Sequence, residues 1–144
     1  MALNLIKLCV GCDSPEELEE SVSRRLDVRR RRGEPAEQFH TTRMIPRRIE
    51  ELCDGGSLYW VMKGMVQCRQ TLLEVRPFTD GEGVSRCHLI LEPKIVLTEW
   101  QPRRPFQGWR YLTVEDAPPD RSVFEGEDDL PDHMRRELAE LGLL

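Results

Sequence analysis

Residues 57–63 read Ser-Leu-Tyr-Trp-Val-Met-Lys, and this stretch decides the fold class. Its apolar side chains at positions 58, 60 and 62 share one face of an extended chain, because successive side chains of a strand point to opposite sides. Gly64 marks a bulge or a bend, and residues 65–76 continue as a long strand. The stretch therefore predicts a core built on β-strands.

The stretch that follows supplies an antiparallel partner for the long strand. Asp80-Gly81, within residues 79–83, is typical of a tight turn because this pair tolerates a left-handed backbone. Residues 85–91 then place Cys87, Leu89 and Leu91 on one face. The pattern predicts a β-hairpin.

The N-terminal part contains a helix with clear boundary signals. Ser14 is the predicted N-cap, Pro15 suits the first helical position, and Glu17 sits where a capping box requires an acid. Gly33 ends the helix before Pro35. The other predicted elements are short: strands at 3–8, 38–44, 95–99 and 108–112, and a helix over 46–53.

Together these elements predict an α+β domain with a small, curved, mostly antiparallel, β-barrel-like sheet and flanking helices. We expect residues 57–112 to form one continuous sheet with Leu58, Trp60, Leu89 and Leu91 inside. The domain is predicted to span residues 1–114.

Residues 115–144 are predicted to form an acidic C-terminal tail with a short helix, since they hold ten acidic side chains and three arginines. In the helix, apolar residues recur at positions 130, 134, 138 and 141. Such a stripe needs a partner surface, either the chain's own sheet, a second copy of the chain or another protein. The acids at 125–129 either compete with an anionic ligand for a basic surface or only keep the chain soluble.

Composition limits the class of protein. The chain has 144 residues, of which 39% are hydrophobic and 33% charged, as in a single globular domain. No apolar run approaches the roughly 20 residues that span a bilayer, and the N-terminus does not resemble a signal peptide. We expect a cytoplasmic protein without membrane association. Its five cysteines, an odd number, are expected to be reduced thiols.

Basic side chains are concentrated in residues 24–48, with nine arginines against three acids. Arginine suits phosphate binding because its guanidinium matches the geometry of the anion. An arginine bias also follows from GC-rich codon usage. The run at 29–32 has a third explanation, since cations at a helix C-terminus balance the helix dipole.

Motifs for hydrolysis, phosphate loops and dinucleotide binding are absent from the sequence, so we predict no catalytic residue, no cofactor and no metal ion. Cys9-Val10-Gly11-Cys12 lies between a strand and a helix, where redox pairs occur, but a second pair for zinc is missing. Two incidental thiols are the favoured interpretation. His40 and Arg43 lie on a short polar strand and are the residues of an alternative enzyme hypothesis.

Aromatic and basic side chains are mixed in the later strands and in the proline-bounded loop 101–107. Guanidinium groups bind phosphates and flat rings stack on bases, which is how single-stranded nucleotides are held. The candidate ligand-binding residues are His40, Arg43, Lys63, Arg103, Arg104, Gln107 and Trp109. The alternative is that the tryptophans are core residues and the arginines a solvated rim. This alternative is favoured for Trp60 and evenly balanced for Trp109.

Two stretches carry a family resemblance: Gly-Gly-Ser-Leu-Tyr-Trp-Val-Met-Lys-Gly at 55–64 and Pro-Arg-Arg-Pro-Phe-Gln-Gly-Trp-Arg-Tyr-Leu at 102–112. The chain resembles an uncharacterised bacterial domain-of-unknown-function family, number fourteen eighty-nine, over about residues 3–119. The Cys9–Cys12 pair is not part of that pattern. The resemblance implies kinship but no particular chemistry. More remotely, the order of elements is similar to that of PUA-like barrels of the EVE and ASCH types, which bind RNA or modified bases in an aromatic-lined pocket.

The favoured function is therefore non-catalytic binding of RNA or a modified nucleotide through a basic aromatic cleft. One alternative is a small enzyme that acts on an anionic or phosphorylated small molecule through His40 and Arg43. The other is a protein-interaction module. A cleft of arginines and aromatic rings would favour nucleotide binding. A carboxylate within hydrogen-bond reach of His40 would favour the enzyme. A large exposed apolar patch would favour the protein-interaction module.

Overall fold

The computed structural model describes residues 2–121, which form a mixed seven-stranded sheet and two helices. The elements in chain order are β1 (Asn4–Leu8), α1 (Pro15–Arg31), β2 (Gln38–Thr42), α2 (Ile49–Leu52), β3 (Ser57–Met62), β4 (Met65–Thr79), β5 (Ser85–Leu91), β6 (Val96–Pro102) and β7 (Trp109–Leu112). Within residues 2–121 no helix combines the length and the apolar character needed to cross a membrane.

The sheet is organised around the long strand β4. The order is β2-β5-β4-β3-β1-β7, with β6 paired to β4 outside this path. Residues 65–69 of β4 pair with both β3 and β6, so these two strands lie on opposite edges of β4. Of the pairings among these strands only β1 with β3 is parallel. The α+β class is as predicted. The predicted barrel is not closed, because the end strands β2 and β7 do not pair.

The connection between β3 and β4 is a two-residue hairpin turn. Lys63 and Gly64 have φ angles of 51° and 79°, and Met62 pairs directly with Met65. Positive φ at both central residues gives the turn a twist that matches the strands it joins. The predicted bend at Gly64 is therefore a reversal of the chain, and it sets β3 and β4 side by side.

Helix α1 begins and ends close to its predicted boundaries. The Ser14 hydroxyl accepts a hydrogen bond from the Glu17 N–H at 3.2 Å. The Glu17 carboxylate in turn accepts from the Asp13 N–H at 2.8 Å, one residue before the position that a capping box predicts. Leu18, Val22 and Leu26 are buried and fix α1 on the sheet.

The two faces of the sheet pack separately. One face, the major core, includes Leu58, Trp60, Leu89 and Leu91, as predicted. The opposite face carries a smaller cluster, the minor core, which consists of Ile6, Tyr59, Val61, Val66 and Leu112. Alternation along β1 and β3 separates the two sets, because neighbouring side chains of a strand point to opposite sides.

Side chains of β7 bind the segment that follows β2 and so bridge the open side of the sheet. The Trp109 indole N–H donates to the Met44 carbonyl at 2.7 Å. The Tyr111 hydroxyl accepts from the Arg47 N–H at 2.9 Å and from the Arg48 N–H at 3.3 Å. Three hydrogen bonds thus take the place of a strand pairing between β2 and β7.

Residues 119–121, which the sequence assigns to the acidic tail, run beside β6. The Glu99 N–H donates to the Pro119 carbonyl at 2.8 Å, and the Arg121 N–H donates to the Leu97 carbonyl at 2.9 Å. The Asp120 carboxylate accepts two hydrogen bonds of 2.7 Å from the Arg69 guanidinium. The predicted C-terminal helix and the acids at 125–129 lie outside the described residues.

Candidate functional site

A cleft of about 540 Å³ lies on the minor-core face, where the loop after β6 meets β7. Its walls combine guanidinium groups, one aromatic ring and one carboxylate. The lining residues that matter here are Arg103, Arg104, Phe106, Arg110, Tyr111 and Asp116. Three cations and one anion give the cleft a positive charge, which suits an anionic ligand.

Hydrogen bonds hold the loop that carries Arg103 and Arg104. The Arg103 N–H donates to the Gly64 carbonyl at 2.8 Å, which ties the loop to the β3–β4 turn. The Arg103 guanidinium donates to the Gln101 amide oxygen at 3.1 and 2.8 Å. Because Gln101 is neutral, the Arg103 guanidinium is oriented without losing its charge to a carboxylate.

Two rings, Phe106 in the cleft and Tyr111 on the Trp109 side of β7, each lie under a guanidinium. The Arg110 guanidinium lies 5.2 Å from the centre of the Phe106 ring, and that of Arg48 lies 5.8 Å from the centre of the Tyr111 ring. These are cation–π distances. Stacked guanidinium groups present flat, charged surfaces, which are suited to stacking on bases.

Trp109, a predicted ligand-binding residue, lies on the other side of the sheet. It is 8% exposed, belongs to the major core and contacts Tyr111 edge-to-face at 4.9 Å. It does not line the cleft. The structure therefore agrees with the alternative interpretation, in which Trp109 is a core tryptophan.

The other predicted residues are dispersed. Arg103 and Arg104 line the cleft together, whereas Arg43, Lys63 and Gln107 are exposed outside its walls. Lys63 lies in the turn whose Gly64 carbonyl holds the Arg103 backbone.

Four aromatic or charged residues that line the cleft are not among the predicted ones. Phe106, Arg110 and Tyr111 belong to the wider group of aromatic and basic side chains in the sequence. Phe106 lies in the loop before β7, and β7 is too short for its alternation to select Arg110 and Tyr111. Asp116 carries no local signal at all. It reaches the cleft through the turn that follows β7, where its N–H donates to the Thr113 carbonyl.

His40 lines a separate, narrow pocket of about 110 Å³ on the major-core face. Its ring packs edge-to-face on Trp60 at 5.5 Å, and its Nε2 atom is buried without a hydrogen-bond partner among the described residues. Burial, together with the smaller effect of the nearby cations Lys7 and Arg25, lowers the pKa of His40 to about 4. The imidazole is therefore neutral at physiological pH.

Cys9 and Cys12 line the same pocket as His40. Burial raises the pKa of the Cys9 thiol to about 12, and the adjacent Cys12 contributes in the same direction. A thiol that stays protonated is a poor nucleophile. Within residues 2–121 no three potential ligands among histidine, cysteine and acidic side chains are grouped to hold a metal ion.

We expect the stability of the fold to fall in acid through His40. The unfolded imidazole takes a proton near pH 6.5, whereas the folded one takes it near pH 4. The unfolded state therefore binds more protons between these values, and the free energy of unfolding falls as the pH drops through this window. The loss is at most about 1.4 kcal/mol per pH unit, or about 3 kcal/mol in all.

Urea unfolding of the wild type and of His40→Gln between about pH 7 and pH 4.5 measures this effect as a difference between two curves. The wild type should lose more free energy of unfolding than the variant. His88→Gln is the control, since His88 bonds Thr41 and packs on Phe78 outside the pocket. Parallel pH profiles for the wild type and His40→Gln would contradict a buried neutral imidazole.

The chain belongs to the family described as "Protein of unknown function (DUF1489)", which matches residues 5–144. This confirms the family resemblance, and the match includes the acidic segment. No curated protein and no solved structure matches the chain.

Proposed function

We propose that this protein binds single-stranded RNA or a modified nucleotide, without catalysis, through the cleft between loop 103–108 and β7. One observation carries the proposal: the guanidinium groups of Arg103, Arg104 and Arg110 and the ring of Phe106 line a single cavity of about 540 Å³. Under this proposal the open sheet serves as a platform in the manner of PUA-like domains.

Phosphate groups are the natural partners of Arg103 and Arg104. Among the described residues neither forms an ion pair, and Arg104 is exposed at the rim of the cleft. Pro102 and Pro105 bound this pair in the sequence and limit the backbone freedom that binding would cost. An anion that bridges both guanidinium groups would gain charge-assisted hydrogen bonds.

Bases would occupy the floor of the cleft. The guanidinium of Arg110 already lies over Phe106, so a base can stack on the exposed face of this pair. The Asp116 carboxylate lines the same cavity and can accept hydrogen bonds from the amino groups of a base. Stacking tolerates every base, so we expect weak sequence preference.

The enzyme alternative has less support. Its test is a carboxylate within hydrogen-bond reach of His40, yet the buried Nε2 atom has no partner within residues 2–121. Arg43 is exposed and does not line the His40 pocket. Within residues 2–121 no acid is therefore paired with the buried Nε2 atom of His40.

We expect Arg103→Glu combined with Arg104→Glu to weaken binding of a short single-stranded RNA by roughly tenfold or more at low salt. The two substitutions remove phosphate partners and add like charge to the RNA. Fluorescence anisotropy of a labelled RNA of mixed sequence, between about 50 and 200 mM salt, measures the affinity and its salt dependence. The salt dependence should become shallower in the variant.

The matched control is Arg30→Glu combined with Lys94→Glu, which changes the net charge equally. Both residues are exposed and lie outside the cleft. If this control loses as much affinity as the cleft variant, binding follows net charge alone and the proposed site is wrong. Thermal unfolding of both proteins separates lost binding from lost folding.

A further inference from the structure

A second basic cavity, of about 520 Å³, lies between α1 and the segment that leads into β2. We call it the α1 groove. Its walls carry four arginines, two acids and one aromatic ring. The residues are Arg24, Arg25, Arg29, Arg32, Glu34, Glu37 and Phe39.

The acids of the α1 groove neutralise only one of its four arginines. The Glu37 carboxylate accepts two hydrogen bonds, of 2.7 and 2.9 Å, from Arg76, which lies outside the groove. Glu34 lies 3.7 Å from Arg29, whose guanidinium also lies 5.4 Å from the Phe39 ring. Arg24, Arg25 and Arg32 form no ion pair within the described part of the chain. Three positive charges therefore stay available to a ligand.

The helix dipole does not account for Arg24 and Arg25. The favourable effect of cations is confined to the last turn of a helix, which in α1 holds Arg29, Arg30 and Arg31. Arg24 and Arg25 lie more than a turn earlier. Their position on the groove calls for another explanation, and an anionic ligand supplies one.

The α1 groove adjoins the His40 pocket. The two cavities share the wall residues Ser21, Arg25, Gln38 and Phe39. The inner part, with about 110 Å³, has room for about four water molecules, which is comparable to one flat heterocycle. The whole depression thus has a wide basic mouth and a narrow inner end.

The inner end presents neutral groups to a ligand. The Nε2 atom of His40 is buried without a partner among residues 2–121, and such an atom gains when a ligand supplies a hydrogen bond. The Trp60 ring, which lies edge-on to His40, and the thiols of Cys9 and Cys12 form the rest of the wall. This surface suits an uncharged ring with polar nitrogen atoms.

We infer that this depression binds a nucleoside 5′-phosphate, with the phosphate on Arg24, Arg25 and Arg32 and the base against His40 and Trp60. The site is separate from the RNA cleft. His40 and Trp60 lie on the major-core face, whereas the cleft is lined by Ile6 and Leu112 of the minor core. The inference therefore does not rest on the proposed function.

Calorimetric titration with the four ribonucleoside 5′-monophosphates tests the site, with ribose 5-phosphate and inorganic phosphate as partial ligands. At least one mononucleotide should bind more tightly than ribose 5-phosphate. Arg25→Glu should weaken mononucleotide binding about tenfold or more. Arg30→Glu is the matched control, because Arg30 lies on the same helix, pairs with Asp27 and does not line the groove. It should bind as the wild type does.

Recognition of the base has its own readout. His40→Phe should weaken mononucleotide binding and leave ribose 5-phosphate binding unchanged. The imidazole nitrogen signals of His40 in ¹⁵N NMR, assigned by their loss in His40→Gln, should shift when the mononucleotide is added.

Three results would overturn the inference: no binding of any mononucleotide, equal binding by Arg25→Glu and Arg30→Glu, or equal affinity for mononucleotide and ribose 5-phosphate. The Arg103→Glu, Arg104→Glu double variant separates the two sites. It should keep mononucleotide binding even if RNA binding fails. Loss of mononucleotide binding in that variant would place the nucleotide in the cleft and also refute the second site.

Discussion

Replacing Gly56 by alanine is expected to prevent stable folding. A Cβ atom at this position would overlap the backbone carbonyl oxygens of Leu3 and Leu52. Neither oxygen can rotate away as a flexible side chain would. Gly56 also donates to the Leu52 carbonyl at 3.1 Å and accepts from the Leu72 N–H at 2.9 Å, so it cannot shift without loss of hydrogen bonds. We expect a loss of about 4 kcal/mol or more in the free energy of unfolding.

The neighbouring Gly55 provides the control for this prediction. A Cβ atom at Gly55 would meet no atom within 4 Å, but its φ of 85° strains any other residue. Gly55→Ala should therefore cost only about 1–2 kcal/mol. Urea unfolding followed by circular dichroism compares the two variants. Equal losses would show that Gly56 is not packed between β1 and α2 as the structure has it.

The elements with strong local signals are those that the sequence predicts well. The observed β5, Ser85–Leu91, has the predicted bounds because it alternates cleanly after an Asp-Gly turn. The N-cap of α1 is likewise observed at Ser14, where the side chain satisfies an otherwise unpaired backbone N–H. In each case a few neighbouring residues carry all the information.

Strand partners are not local, and the sequence does not predict them. The parallel pairing of Leu5 with Leu58 and the antiparallel pairing of Leu5 with Tyr111 join residues more than 50 positions apart. Alternation predicts a strand and its buried face but leaves its neighbour undetermined. Closure of the sheet depends on those neighbours, which is why a barrel was predicted and an open sheet is found.

In the candidate sites too, local features are predictable from the sequence, whereas contacts between distant residues are not. Arg103 and Arg104 share a proline-bounded loop, and their convergence on one cavity is predictable from that loop. The pocket that holds His40 with Cys9 and Cys12 brings together two segments distant in sequence, β2 and the loop after β1. The sequence places His40 on a short polar strand and favours two incidental thiols for Cys9 and Cys12, so only the fold shows that they face a common space.

A buried polar network is expected to be the second most sensitive part of the molecule. Gln70 is fully buried at the centre of β4. Its amide oxygen accepts from the Trp60 indole N–H at 3.0 Å, and its amide nitrogen donates to the Glu92 carbonyl at 3.0 Å and to the Gln38 amide oxygen. One side chain thus satisfies polar groups from β2, β3 and the segment after β5.

Gln70→Leu keeps the size of the side chain roughly constant but leaves the Trp60 N–H, the Gln38 amide and the Glu92 carbonyl without their partner. Since each buried polar group left unpaired costs about 1–3 kcal/mol, we expect a total loss of about 4 kcal/mol or more in the free energy of unfolding. Gln38→Leu should cost less, because Gln70 would retain Trp60 and Glu92.

Urea unfolding of both single variants and of the double variant Gln38→Leu, Gln70→Leu completes the test of this network. Gln70→Leu alone leaves the Gln38 amide buried without a partner. The double variant removes this amide as well, so that cost is absent. The cost of the double variant should therefore fall below the sum of the two single costs, by about 1 kcal/mol or more. Additive losses would mean that the two amides do not bond each other. A loss below about 1 kcal/mol in Gln70→Leu would mean that water reaches these groups.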